Sequence, residues 1–173
     1  MAIKPIQFKR ILYTTDLSDN ALHAFSYAVS LASAYGASIT VLHVLSDPAR
    51  IEALLAGILM EDQWQVIKER HIKEARESLV GKRRDRAMIQ DALSQFTENL
   101  QKDGALPVFE MDEVLVVWGD PVEQILKIAA ERNSDLIILG THGHILIEDV
   151  LGTTARSVTR LSRVPVLTVP LNN

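Results

Sequence analysis

Apolar residues along this chain fall into short continuous runs separated by longer amphipathic stretches. Arg10-Ile11-Leu12-Tyr13-Thr14-Thr15 reads as a short buried strand. Asp16-Leu17-Ser18-Asp19 follows as a turn supplied with capping residues. Leu22, Phe25, Val29 and Ala32 then recur at helical spacing, and Gly36 is placed to end that helix. Residues 39–44 are apolar and rich in β-branched side chains, which predicts a second strand. A strand–helix–strand unit of this kind gives parallel pairing.

Residues 47–103 differ in character: they hold ten of the eighteen basic and eleven of the twenty-two acidic residues. Trp64, Ile67, Ala75 and Leu79 lie roughly on one helical face, as do Ile89, Phe96 and Leu100, which predicts two or three amphipathic helices broken near Gly81. Such a crossover is too long for one helix, so 48–103 reads as a helical insertion between strands 2 and 3. The α/β rhythm then resumes. Residues 114–117 form a strand. Asp120-Pro121-Val122-Glu123 opens a helix, with Asp capping, Pro in the first turn and Glu able to reach back. Ile125, Leu126 and Ala129 make its buried face. Residues 136–139 are a continuous apolar strand running into Gly140, followed by a helix over 154–162 and a last strand over 166–169. The expected fold is α/β: a single doubly wound five-stranded parallel sheet with helices on both faces, within one domain covering 1–173.

Composition narrows the chemistry. The chain of 173 residues has 47% hydrophobic and 23% charged residues, a globular balance that argues against disorder. It contains no cysteine, which removes disulfides, thiolate metal sites and thiol nucleophiles together. A net charge of −4 disfavours a general electrostatic grip on nucleic acid. The N-terminus carries no export-signal pattern, and the longest apolar stretch, 51–60, is about half of what a bilayer span requires. A soluble cytoplasmic protein is the expectation.

Open α/β sheets bind ligands in loops at the carboxyl ends of their strands, near a switch in strand order. Two such loops stand out: Thr14-Thr15-Asp16 after strand 1, and Gly140-Thr141-His142-Gly143 after strand 4, with Gly152-Thr153-Thr154 opening the next helix. Glycines allow close backbone approach, and unpaired N–H groups at a helix start favour phosphate oxygens. Thr153 and Thr154 add hydroxyl donors, and Asp16 could accept hydrogen bonds from a ribose. Taken alone, glycine at a strand end is more often a plain turn. No Walker lysine follows these glycines, and there is no G-x-G-x-x-G.

The segments ILYTTDLSDNALHAFSYAVSLASAYGASITVLHV, GDPVEQILKIAAERNSDLIILGTHGH and LGTTARSVTRLSRVPVLTVP resemble the universal stress protein family across most of the chain outside roughly 48–105. The resemblance implies an α/β sheet that dimerises through its last strand. In one branch it implies ATP bound at Gly-x2-Gly-x9-Gly-Ser/Thr. Residue by residue, it places Asp16 near the adenosine with Thr15 beside it, and sets the backbone of Val44 against the adenine. Gly140 and Gly143 become the first two motif glycines. Gly152 and Thr153 become the third glycine and its hydroxyl partner, and Thr154 supplies a further N–H. The implied ligand is ATP or AMP, with Mg²⁺ accompanying ATP. Here eight residues separate Gly143 from Gly152 where the family motif has nine, and His144 and Leu146 replace a usual basic residue and glycine. Against the family motif, this spacing implies a tighter phosphate loop, an expectation that weighs on triphosphate more than on adenosine.

Other residues have mostly structural readings. His142 and His144 could touch a phosphate, or bind a metal together with Asp149, but histidines without ligand-spaced carboxylates are more often loop residues. His43 reads as a satisfied core or strand-end group, and Lys82-Arg83-Arg84 with Arg86 as a solvated helix junction. Residues 51–60 could meet a partner, cover the nucleotide or simply be buried in the core. Ser18 and Ser157 have no evident His/Asp partners for a hydrolase triad. Three functions compete: a nucleotide-binding regulatory protein with at most slow ATP hydrolysis, a nucleotide-free dimeric adaptor of the same family, and a metabolic enzyme. The last lacks a catalytic constellation.

Overall fold

The computed structural model describes residues 5–17, 19–45, 63, 66, 81–102, 107–141 and 152–170. Along them run β1 (Arg10–Thr15), α1 (Asp19–Tyr35), β2 (Ser38–Leu45), α2 (Gly81–Lys102), β3 (Glu110–Trp118), α3 (Pro121–Glu131), β4 (Leu136–Gly140), α4 (Thr153–Leu161) and β5 (Val166–Val169). The five strands form one parallel sheet in the order β3-β2-β1-β4-β5.

The central strands are apolar on both faces because both faces are covered. Ile11 and Tyr13 of β1 pack with Phe25, Ala28 and Val29 of α1 and with Ile89 and Leu93 of α2. Leu12, one residue out of phase, packs on the opposite face with Ile125 and Ile128 of α3 and with Ala155 and Val158 of α4. Helices therefore lie on both faces. Tyr13 meets Phe25 at a tilt and Phe25 meets Phe109 edge to face, with ring centroids 5.0 and 5.9 Å apart.

Local signals end and start the helices. Gly36 adopts φ 65° after α1, and the Ala37 N–H donates to the Ala32 carbonyl at 2.9 Å, a Schellman closure that suits glycine. At α3, the Asp120 carboxylate accepts from the Glu123 N–H at 2.9 Å with Pro121 at the first position, as the sequence predicts. Its buried face differs in part from expectation. Ile125, Ile128 and Ala129 are buried, whereas Leu126 is only half-buried at the border of the cluster. α4 starts one residue earlier than expected, at Thr153.

The described part of the insertion is α2, apart from Gln63 and Val66. Ile89 is buried as predicted, joined by Ala92, Leu93 and Thr97. Thr97 is tolerated on that face because its hydroxyl donates to the carbonyls of Leu93 and Ser94 at 3.0 and 2.8 Å. The remaining expectations for 47–80, including the 51–60 stretch and the Trp64, Ile67, Ala75 and Leu79 face, fall outside the described residues. So do the side chains of Phe96, Leu100 and the Lys82-Arg83-Arg84 and Arg86 cluster. Among the described residues, no helix is long and apolar enough to cross a membrane.

β3 is longer than the sequence predicts and carries a bulge. The register shifts between Ile39 and Thr40 of β2, which pair with Met111 and Glu113, leaving Asp112 as the extra residue. The Thr40 hydroxyl donates to the Asp112 carboxylate at 3.2 Å, so the bulge also satisfies a buried threonine.

The amino ends of β1 and β4 are tied by one side chain. The Asp135 carboxylate accepts from the Lys9 N–H at 2.8 Å and from the Arg10 N–H at 3.2 Å. The Asp135 N–H in turn donates to the Arg10 carbonyl at 2.9 Å. This sets the pairing of two strands that enter the sheet from distant parts of the chain.

The candidate ligand site at the carboxyl edge of β1 and β4

Strand order reverses between β1 and β4: the chain leaves β1 toward β2 on one side and later returns to β4 on the other. Ligand crevices open at such a point. Thr14 pairs with Leu139, so Thr15 and Gly140 are the next step along the same edge. Thr15 is also level with His43, His43 with Val116, and Gly140 with Val169. Asp16 follows directly beyond this row. Val44 is level with Val117, its side chain packed toward the cluster under α3.

The exit of β1 is a tight hydroxyl-closed turn. The Leu17 N–H donates to Thr15 Oγ1 at 3.0 Å, and Leu17 has φ 67°. A left-handed leucine is uncommon, and here the side-chain bond and burial of Leu17 at 5% exposure hold it. Asp16 is the middle residue of that turn and is half-exposed. Burial pushes the Tyr13 phenol well above its ordinary value. The neighbouring Thr15 side chain offsets part of that rise, and the nearby Asp16 charge adds to it.

His43 completes the cluster. Its Nδ1 lies 2.8 Å from the Thr15 carbonyl, and the residue is buried as expected from the sequence. Desolvation pulls its pKa below 6.5, against opposing pulls from the Thr15 carbonyl and the Asp16 charge. The unfolded chain therefore binds a proton that folded His43 resists. Its contribution to stability is complete above the unfolded pKa and falls as pH drops below it. We expect stability between pH 7 and 5 to decline more steeply in the wild type than in His43→Asn. The difference is at most about 1.4 kcal/mol per pH unit. Urea unfolding at a series of pH values measures it, and parallel profiles would contradict it.

On the β4 side, Gly140 ends the strand and Thr141 is buried, its N–H donating to the Val169 carbonyl at 2.9 Å. Gly152 caps α4 with φ 68° and ψ 154°. That backbone is essentially closed to residues with a β-carbon. Thr153 and Thr154 occupy the first turn of α4, whose N–H groups have no acceptor within the helix. His142 and Gly143, together with His144, Leu146 and Asp149, lie outside the described residues. The structure thus brings Thr15, Asp16, Val44 and Gly140 to one sheet edge and shows the special backbone of Gly152. Sequence reasoning missed the Thr15–Leu17 linkage, although a threonine two residues before a potential turn position was a usable signal.

A parallel sheet in the order β3-β2-β1-β4-β5, covered by helices on both faces, defines the doubly wound α/β class. The chain belongs to the universal stress protein family, whose model matches residues 7–170. Universal stress protein MJ0577 of Methanocaldococcus jannaschii is 27% identical over 178 residues, covering 97% of this chain and 98% of that protein. The MJ0577 structure is similar with a TM-score of 0.60 at 26% identity, covering 97% of this chain and 99% of that one. Universal stress protein YxiE of Bacillus subtilis is 29% identical over 163 residues, covering 94% of this chain and 99% of its own length. Two further structures share the fold. A universal stress protein in complex with cAMP has a TM-score of 0.55 at 22% identity, covering 95% of this chain and 98% of its own. The Archaeoglobus fulgidus protein in complex with dAMP has a TM-score of 0.55 at 18% identity, with the same coverages of 95% and 98%.

Proposed function

We propose that this chain is an adenine-nucleotide-binding regulatory protein that takes up ATP or AMP and hydrolyses ATP slowly at most. The observation that carries this reading is the fixed Thr15-Asp16-Leu17 turn at the β1–β4 switch point. Gly152 adds support with a backbone that tolerates no side chain at the start of α4. The cAMP and dAMP complexes of proteins with this fold agree with it. In this reading the Asp16 carboxylate accepts from ribose hydroxyls, and the backbone of Val44 faces the adenine. Gly140, His142 and Gly143 flank the phosphates, which rest on N–H groups of Gly143, Gly152, Thr153 and Thr154. Mg²⁺ would come with ATP, held by phosphate oxygens. We assign the whole chain to one domain, with 48–103 as an insertion offering surface to a protein partner in a cytoplasmic setting.

Calorimetry on nucleotide-stripped protein is the test. ATP, AMP and adenosine should all bind, and Asp16→Ala should weaken each by about 1–3 kcal/mol, roughly five- to 150-fold. No binding at millimolar concentration would defeat the reading. It would promote a nucleotide-free adaptor, which the eight-residue spacing between Gly143 and Gly152 favours.

The same reading includes a homodimer paired through β5. This strand is an outer edge of the sheet, with Val166, Leu167 and Thr168 only half-buried. Exposed edges tend to be paired or covered. Sedimentation at micromolar concentration should show twice the 19.2 kDa chain mass, and a purely monomeric species would contradict it.

A further inference from the structure

His43 touches the candidate site from behind. It is 6% exposed, stands level with Thr15 across the β1–β2 pair, and places Nδ1 2.8 Å from the Thr15 carbonyl. A carbonyl oxygen only accepts, so Nδ1 must carry the hydrogen. Thr15 is held a second time through its hydroxyl, which accepts from the Leu17 N–H at 3.0 Å. Asp16 therefore hangs between two anchored residues: Thr15, fixed from β2, and Leu17, fixed by the turn and by its buried side chain. A carboxylate that must meet a sugar hydroxyl gains little from its charge unless its backbone is held to within a fraction of an ångström.

We propose that His43 is a positioning residue for nucleotide binding: its Nδ1–H bond to the Thr15 carbonyl fixes the exit of β1 that presents Asp16 to the ribose. This rests on the nucleotide reading above. His43 does not touch the ligand and acts only through Asp16. The chemistry predicts which substitutes work. In His43→Asn the amide Nδ2 hangs on the same carbon that carries Nδ1 in histidine, so this variant can keep the bond. His43→Leu has similar reach and no donor.

The test combines nitrogen NMR of the imidazole with adenosine and AMP binding. In ligand-free protein the His43 ring should be the neutral tautomer with hydrogen on Nδ1; hydrogen on Nε2 overturns the proposal without any ligand. His43→Leu should weaken both ligands about tenfold, and His43→Asn should remain within about threefold of wild type. Because the histidine works through the carboxylate, Asp16→Ala combined with His43→Leu should bind no more weakly than Asp16→Ala alone. Asparagine as poor as leucine, or additive losses in the double variant, would reduce His43 to a packing role. Wild type that binds neither ligand would overturn the nucleotide reading, and this role with it. Binding by wild type that is indifferent to His43 would overturn this role alone.

Discussion

Gly152→Val is expected to abolish most of the affinity for ATP while leaving adenosine binding largely intact. Gly152 sits at φ 68° and ψ 154°, a conformation that costs residues with a β-carbon about 1–3 kcal/mol to adopt. Valine is worse than alanine there because its branched β-carbon crowds the backbone on both sides. The strained chain has two ways to respond. It either keeps the cap and loses stability, or relaxes the backbone and rotates the N–H groups of Thr153 and Thr154 away from their present direction. In the first case the added methyls occupy the space a phosphate needs; in the second the donors are lost. Thermal unfolding should show a midpoint lowered by roughly 2–12 °C. Calorimetry with ATP and adenosine side by side supplies the second measurement. Equal ATP affinity in wild type and variant would move the phosphates elsewhere while leaving the adenosine end of the site in place.

Ile138→Ala should cause the largest loss of stability without touching a ligand group. Ile138 is at 0% exposure in the middle of β4, level with Tyr13 of β1 and Leu167 of β5, and packed in the cluster beneath α1. Removing its three outer carbons leaves a cavity walled by strands that cannot close around it. The expected cost is about 2–5 kcal/mol, a large share of the roughly 5–15 kcal/mol that holds a domain of ordinary size together. The urea midpoint should fall with little change in slope. Val108→Ala is the matched control: Val108 is 93% exposed, so its loss should stay within about 0.5 kcal/mol. A loss at Ile138 as small as at Val108 would mean the sheet repacks freely.

The strands that were easiest to read from sequence are those with two covered faces. β1, β2 and β4 appear as mainly apolar runs because their central residues are buried on both faces. β3 was read too short for the converse reason. It is an outer strand, and Glu110, Asp112 and Glu113 alternate with its apolar positions or sit at the bulge, so hydrophobicity alone finds only its inner half. α3 was legible through its cap, which is local chemistry between residues three apart. Thr97 on the buried face of α2 was not legible, because its polarity is cancelled by carbonyls of its own helix. At the site, Thr15 and Asp16 could be picked out by position after a strand. The left-handed Leu17 could not, because leucine gives no hint of such a backbone until the Thr15 hydroxyl bond is seen.

The Asp135 tie has a consequence for how the molecule comes into being. It joins Arg10 to a residue 125 positions later, at one end of the strand pair whose other end bears the candidate site. Closing so long a loop is entropically slow, whereas β1, α1 and β2 are sequence neighbours and can associate early. A nascent chain emerging from the ribosome can thus build its first βαβ unit while β4 has yet to be synthesised. During that interval the carboxyl edge of β1 has no opposite wall. Ligand recognition is postponed to the closing step of assembly, when Asp135 docks against Lys9 and Arg10 and locks the register. A small molecule that favours this edge would act late, as a clasp on the completed sheet, and could not template the earlier stages.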